Sequence, residues 1–207
     1  MSFPIFFNNV PVITMADPLA DILGAASGGI MEYSYADAVK LAGHSCPTVA
    51  GAYRMLQQGL ALLYPESVPV RGEIRVTIKG KLGDGVVGVI ANVASMITGA
   101  TESSGFHGLG GRFDRRNLLY FDEGLEGDMV LERIDTDRSV CLSYNPKIVS
   151  AHPQMQEWLG MILSGKGDMK TREAFQSAWQ DRVKRILIDH RDDGVIKLKM
   201  LEEGRII

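Results

Sequence analysis

The sequence predicts an α+β fold, with helices packed on a mixed or antiparallel sheet and extra helices near the C-terminal end. Three observations carry that prediction. Apolar residues recur at helical spacing in the first third of the chain and again beyond Pro146. Between those regions the period changes to two, as half-buried strands require. With 207 residues, 45% of them apolar, the chain is long enough for one domain around a sizeable core. It reads as a single unit over 1–207, with a core at roughly 30–145 and a helical extension at 150–190.

Each element follows from local chemistry. Asp17-Pro18 is an N-cap and first helical position for a helix over Leu19–Ala26, stopped by Gly28-Gly29. A second helix begins near Ser34, with Asp37 in its first turn, and runs through Ala36–Leu41 to Gly43. Pro47 opens a longer helix over Thr48–Leu63, closed by Pro65. In Gly72–Ile78 the residues Ile74, Val76 and Ile78 alternate with polar neighbours, which predicts a strand. Asp84 reads as the cap of a helix over Val86–Ile97. Beyond a glycine-rich loop, Leu118–Phe121, Met129–Ile134 and Ser139–Tyr144 read as strands. Amphipathic helices follow over Pro153–Leu163 and Thr171–Ile188, then an edge strand over Val195–Leu201 guarded by Lys197 and Lys199.

Composition excludes several classes. With 22 Lys+Arg against 25 Asp+Glu the net charge is −3, too little positive field for nucleic acid or an anionic membrane surface. Residues Met1 to Ala16 are uncharged, but Pro4, Asn8-Asn9 and Pro11 interrupt them and no basic n-region precedes them, which argues against a secretory signal. The uncharged stretch Gly85 to Thr101 falls short of the ~20 apolar residues that a membrane span needs. The expected location is cytoplasmic, with thiols reduced. Two cysteines rule out a disulfide framework and paired CxxC zinc knuckles, so any metal centre must mix its ligands.

The residues that carry chemistry lie in Ala42-Gly-His-Ser-Cys-Pro-Thr48. Pro47 starts a helix, so Cys46 sits at its N-cap, where backbone N–H groups and the dipole favour a thiolate. His44, two residues back, is a metal ligand or a proton partner for that sulfur. The bland alternative is a small buried Cys and a turn His bonded to a carbonyl. A metal-free alternative makes Cys46 a nucleophile with His44 as base and Asp37 within reach.

Gly43-His44-Ser45-Cys46-Pro47, with Gly51 and Arg54-Met55, resembles the signature of the FmdE family, named after a protein associated with molybdenum formylmethanofuran dehydrogenase. Thr98-Gly99-Ala100-Thr101, then Asn117-Leu118, resembles that family's second signature region, and the likeness spans roughly residues 35–145. The resemblance implies an α+β homodimer whose groove holds a divalent metal, zinc by preference, on His44 and Cys46. The chain departs from the pattern at Ala100, where relatives usually have Cys, and at Thr48, where Gly is frequent. It also lacks the C-terminal zinc ribbon that some relatives append.

His107, in the glycine-rich loop, is the substitute metal ligand or an ordinary loop His. Arg112, Arg115 and Arg116 follow Gly108, Gly110 and Gly111, an arrangement that suits clamping a small anionic ligand or is simply a solvated basic loop. Cys141, His152, His190, Trp158 and Trp179 read as structural. Two functions therefore compete. One is an FmdE-like metal-binding protein, with catalysis left open. The other is a non-catalytic accessory module that serves a redox enzyme or binds an anion through the loop 105–116.

Overall fold

Capping chemistry starts the first helices where the sequence places them. In the computed structural model, which describes residues 3–190 and 193–201, a short strand β1 (Ile13–Ala16) leads to Asp17. That carboxylate accepts from the N–H of Leu19 and Ala20 and starts α1 (Pro18–Ile22). A 3-10 turn at Ser27–Gly29 precedes β2 (Ile30–Tyr33), which pairs antiparallel with β1. Ser34 and Asp37 form a reciprocal capping box on α2 (Tyr35–Ala42), ended by Gly43 in the left-handed region at φ 75°. Cys46 caps α3 (Pro47–Leu63), with Pro47 at its first position.

The strand β3 (Ile74–Lys79) buries Ile74, Val76 and Ile78, as its alternation predicts. Next comes α4 (Val87–Thr98), whose cap differs from expectation. Val86 is the N-cap and gives no side-chain bond, while Asp84 accepts from the N–H of Lys81. Asp84 thus closes the turn before the helix instead of capping it.

The glycine-rich segment is a small hairpin, β4 (His107–Leu109) with β5 (Arg112–Asp114). Its two-residue turn, Gly110-Gly111, has φ of 58° and 77°, a conformation that glycine supplies at no steric cost. The remaining strands are β6 (Leu119–Asp122), β7 (Met129–Arg133), β8 (Ser139–Tyr144) and β9 (Ile196–Leu201). They join β3 in a five-stranded sheet of order β6-β3-β7-β8-β9. Only β3 and β6 run parallel, so the sheet is mixed. β9 is an edge strand as expected, though Leu198 and Met200 on it are exposed.

Helix α3 lies on the sheet against β7 and β8, and glycine lets it approach. A Cβ on Gly59 would stand 2.8 Å from Leu131 Cδ1, and one on Gly51 would stand 2.3 Å from the Tyr144 ring. α4 packs on α2, α3 and β3. The C-terminal helices are α5 (Met155–Leu163) and α6 (Met169–Lys184), the latter continued by a π-helical turn at Arg185–Asp189. Arg54 of α3 is buried and donates to Ile186 O at 2.7 Å and His190 O at 3.3 Å, which ties that turn to the core helix. Among the described residues no helix is long and apolar enough to cross a membrane.

Candidate functional site

Two helices and the turn between them build the region around Cys46. Gly43 ends α2, three residues follow, and Pro47 begins α3. His44 is exposed, and its Nδ1 lies 2.9 Å from Ala42 O. A carbonyl only accepts, so Nδ1 carries the hydrogen and, in the neutral ring, Nε2 keeps the lone pair. Cys46 is buried, and its Sγ accepts from the N–H of Val49 at 3.5 Å. Asp37 is engaged elsewhere, by Ser34 and Lys40.

A ring of aromatic and amide groups holds the residues on either side of Cys46. Trp179 Nε1 donates to Ser45 O at 2.8 Å, and Gln180 Nε2 donates to the same oxygen at 3.3 Å. Ser45 Oγ donates to Gln180 Oε1 at 3.0 Å. The Tyr35 hydroxyl lies 3.0 Å from Ser45 Oγ and, with that serine's one hydrogen used, acts as its donor. On the other flank Tyr144 OH donates to Pro47 O at 2.7 Å, its ring filling the space that Gly51 leaves. Burial pushes the Tyr35 and Tyr144 phenols well above their usual range, and proximity to Cys46 adds to the effect, so both remain neutral hydrogen-bonding groups. The sequence identifies His44 and Cys46 but not this support, because Gln180 stands 135 residues from Ser45 along the chain.

The other predicted residues disperse. His107 is exposed on β4, across from Asp114 on β5. Arg112 lies over the Phe113 ring at 4.8 Å and makes no ion pair among the described residues. Arg116 pairs with Asp114 at 2.6 Å, and its bonds hold that exposed carboxyl down at about 2. Arg115 turns inward and pairs with Asp17 at 2.8 Å, where Arg71 also binds at 3.0 Å. The carboxylate Arg115 clamps is therefore the protein's own. Ala100 and Cys141 are buried. Among the described residues, no three His, Cys, Asp or Glu side chains are grouped so as to hold a metal ion.

Asp17 centres a buried polar cluster of its own. Its Oδ1 accepts from Leu19, Ala20 and Arg115, and its Oδ2 from Arg71. Burial alone would raise its pKa, but the hydrogen bond from Arg71, the Arg115 charge and the backbone donors together hold it below the usual carboxylate range. A Cβ on Gly72 would stand 1.6 Å from Arg115 Nη1, so the glycine provides the room that the guanidinium occupies. A separate cleft of about 560 Å³ opens between α5 and α6, with His152, Trp158 and Arg185 among its walls.

No family model and no curated protein matches the chain. Among solved structures, it is similar to a tungsten formylmethanofuran dehydrogenase FmdE-like protein from Syntrophus aciditrophicus. The TM-score is 0.42 at 15% sequence identity, over 82% of this chain and 73% of that one.

Proposed function

We propose that this chain is a metal-binding protein whose site forms at the start of α3, with His44 and Cys46 as its donors. One observation carries the reading. The His44 ring is oriented through Nδ1 by a backbone carbonyl, which leaves Nε2 as the free donor on an exposed turn. Metal-ligating histidines are commonly held this way, with the second nitrogen bonded to a carbonyl or carboxylate. Two residues on, the turn presents a thiol at a helix N-terminus. An imidazole nitrogen and a thiolate are ligand types that zinc takes. The likeness of the His-Ser-Cys-Pro run to the FmdE signature supports the same assignment.

The fit is that of a partial ligand set. With two donors in the turn, further ligands come from water, from an added molecule or from His107. A zinc ion with an open position would supply Lewis acidity or an activated water. The residues of the chain itself bind and orient: His44 through its bonded Nδ1, and Cys46 through the bond from Val49 N–H to its sulfur.

Zinc titration of chelator-stripped protein against a chromophoric competitor tests the reading. Wild type should bind about one ion per chain, and both Cys46→Ala and His44→Ala should weaken binding by at least about tenfold, the lower bound for loss of even an outer-shell partner. His107→Ala tests the third donor. Equal, substoichiometric zinc in wild type and Cys46→Ala would overturn the assignment.

A further inference from the structure

We infer that α6 is the positioning element of the His44–Cys46 turn, with Trp179 and Gln180 acting through Ser45, the residue between the two donors. The inference rests on reading that turn as the functional site. Ser45 contributes both of its oxygens to the contact. Its carbonyl takes two donors from α6, and its hydroxyl donates to the Gln180 side-chain oxygen while accepting from Tyr35. Fixing the carbonyl fixes the peptide plane between Ser45 and Cys46, and the hydroxyl bonds hold the serine side chain from two elements at once. A residue held at both ends of its polar chemistry leaves its neighbours little freedom, so α6 adds its own restraint on His44 and Cys46 to those that α2 and α3 supply through Ala42 O and the Val49 N–H.

The rest of α6 is anchored well enough to serve as a reference frame. Arg182 donates to Val149 O at 2.9 Å and Pro146 O at 3.1 Å, and Arg185 donates to Ser150 O at 2.9 Å. These bonds fix the helix to the segment that leaves β8. Arg54 of α3 holds the π-helical turn that follows it. Downstream of Gln180 the helix is therefore tied to the segment after β8 and, through the π-helical turn, to α3, and it meets the His44–Cys46 turn through Trp179 and Gln180. The composition of α6 fits this role. Apart from Val183 it buries little, so the helix directs polar side chains at specific carbonyls instead of presenting a broad apolar face.

The chain carries a built-in control for the test, since both cysteines are buried but only Cys46 adjoins Ser45. Thiol labelling of metal-free protein, resolved by peptide mapping, reports local opening at each site separately. In Gln180→Ala, and in Trp179→Phe, which keeps a ring but removes the N–H donor, Cys46 labelling should speed up by about tenfold, the factor that ~1.4 kcal/mol represents. Cys141 labelling should stay at its wild-type rate. Ser45→Ala, which keeps the carbonyl bonds and removes only the hydroxyl, should give a smaller rise at Cys46 alone. Equal acceleration at both thiols would show that α6 merely adds global stability, and an unchanged Cys46 rate would show that it does not hold the turn. Either result overturns the inference. Because these measurements are made without metal, they succeed or fail independently of the zinc assignment.

Discussion

Two polar clusters of the described residues, a buried one at Asp17 and a half-buried one at the start of α3, are built on opposite principles. At Asp17 one carboxylate accepts four hydrogen bonds, two of them from arginines drawn from distant parts of the sequence. At the α3 turn no charge pair is involved: neutral hydroxyl, amide and indole groups converge on Ser45 and Pro47. The charged cluster gathers Arg71 and Arg115 on one carboxylate at the junction of β1 and α1. The neutral cluster braces a turn while leaving His44 exposed with a free nitrogen. Arg115 directs its charge to the protein's own Asp17, whereas the polar groups that brace the His44–Cys46 turn are neutral.

The largest effect is expected at Asp17. Asp17→Ala removes a helix cap and leaves two guanidinium groups without their shared carboxylate, a loss of about 3–5 kcal/mol. Urea denaturation at fixed m-value measures it. The pH dependence follows from the same group. The folded Asp17 carboxyl titrates below its unfolded value, so its contribution is complete above the unfolded carboxylate range, near ~3.9, and is lost as pH falls through the folded value. The gap between wild type and Asp17→Asn should therefore narrow on acidification. A gap that stays constant down to the lowest pH at which the protein folds would sever the carboxylate from the cluster's stability.

A matched pair of glycines sharpens the comparison. Each cluster needs one: Gly72 makes room for Arg115, and Gly51 for the Tyr144 ring. Gly72→Ala meets both a 1.6 Å approach to Nη1 and a φ of 88°, so it should cost about 3 kcal/mol, as overpacking and backbone strain add. Gly51→Ala also meets a close ring, at 2.3 Å, but lies on helical backbone where alanine recovers up to ~1 kcal/mol of propensity. Its net cost should be about 1–2 kcal/mol, after overpacking is offset. Denaturation midpoints of the two variants rank them. Gly51→Ala proving the more damaging would mean that the neutral cluster, not the charged one, holds the fold.

Much of the fold is legible in local signals. Ser34 with Asp37, and Cys46 before Pro47, mark helix starts, and β8 runs over Ser139–Tyr144 as its pattern predicts. The α+β class follows from those periods. What escapes has a physical reason in each case. β1 and β2 are four residues each, too short for alternation to stand out. The β4–β5 hairpin hides in a run of glycines whose positive φ values, not side-chain pattern, shape it. Asp84 looks like a cap, but Gly85 at φ 45° turns the chain before the helix begins.

The site divides the same way. His44 and Cys46 can be picked out because a helix start, a thiol and an imidazole fall within three residues. Their bracing cannot, since Trp179 and Gln180 reach Ser45 across 134 and 135 positions. Arg115 misleads for a related reason. Its neighbours Arg112 and Arg116 face outward, and only its partner Asp17, 98 positions away, shows that it turns in.

Cobalt substitution tests the metal assignment most directly, because Co²⁺ occupies zinc-type sites and reports a bound thiolate through a near-ultraviolet charge-transfer band. Added to chelator-stripped wild-type protein, Co²⁺ should produce that band. Cys141→Ala should retain it and Cys46→Ala should lose it. A wild-type spectrum without the band, or a band that persists in Cys46→Ala and vanishes in Cys141→Ala, would contradict a metal site at the start of α3.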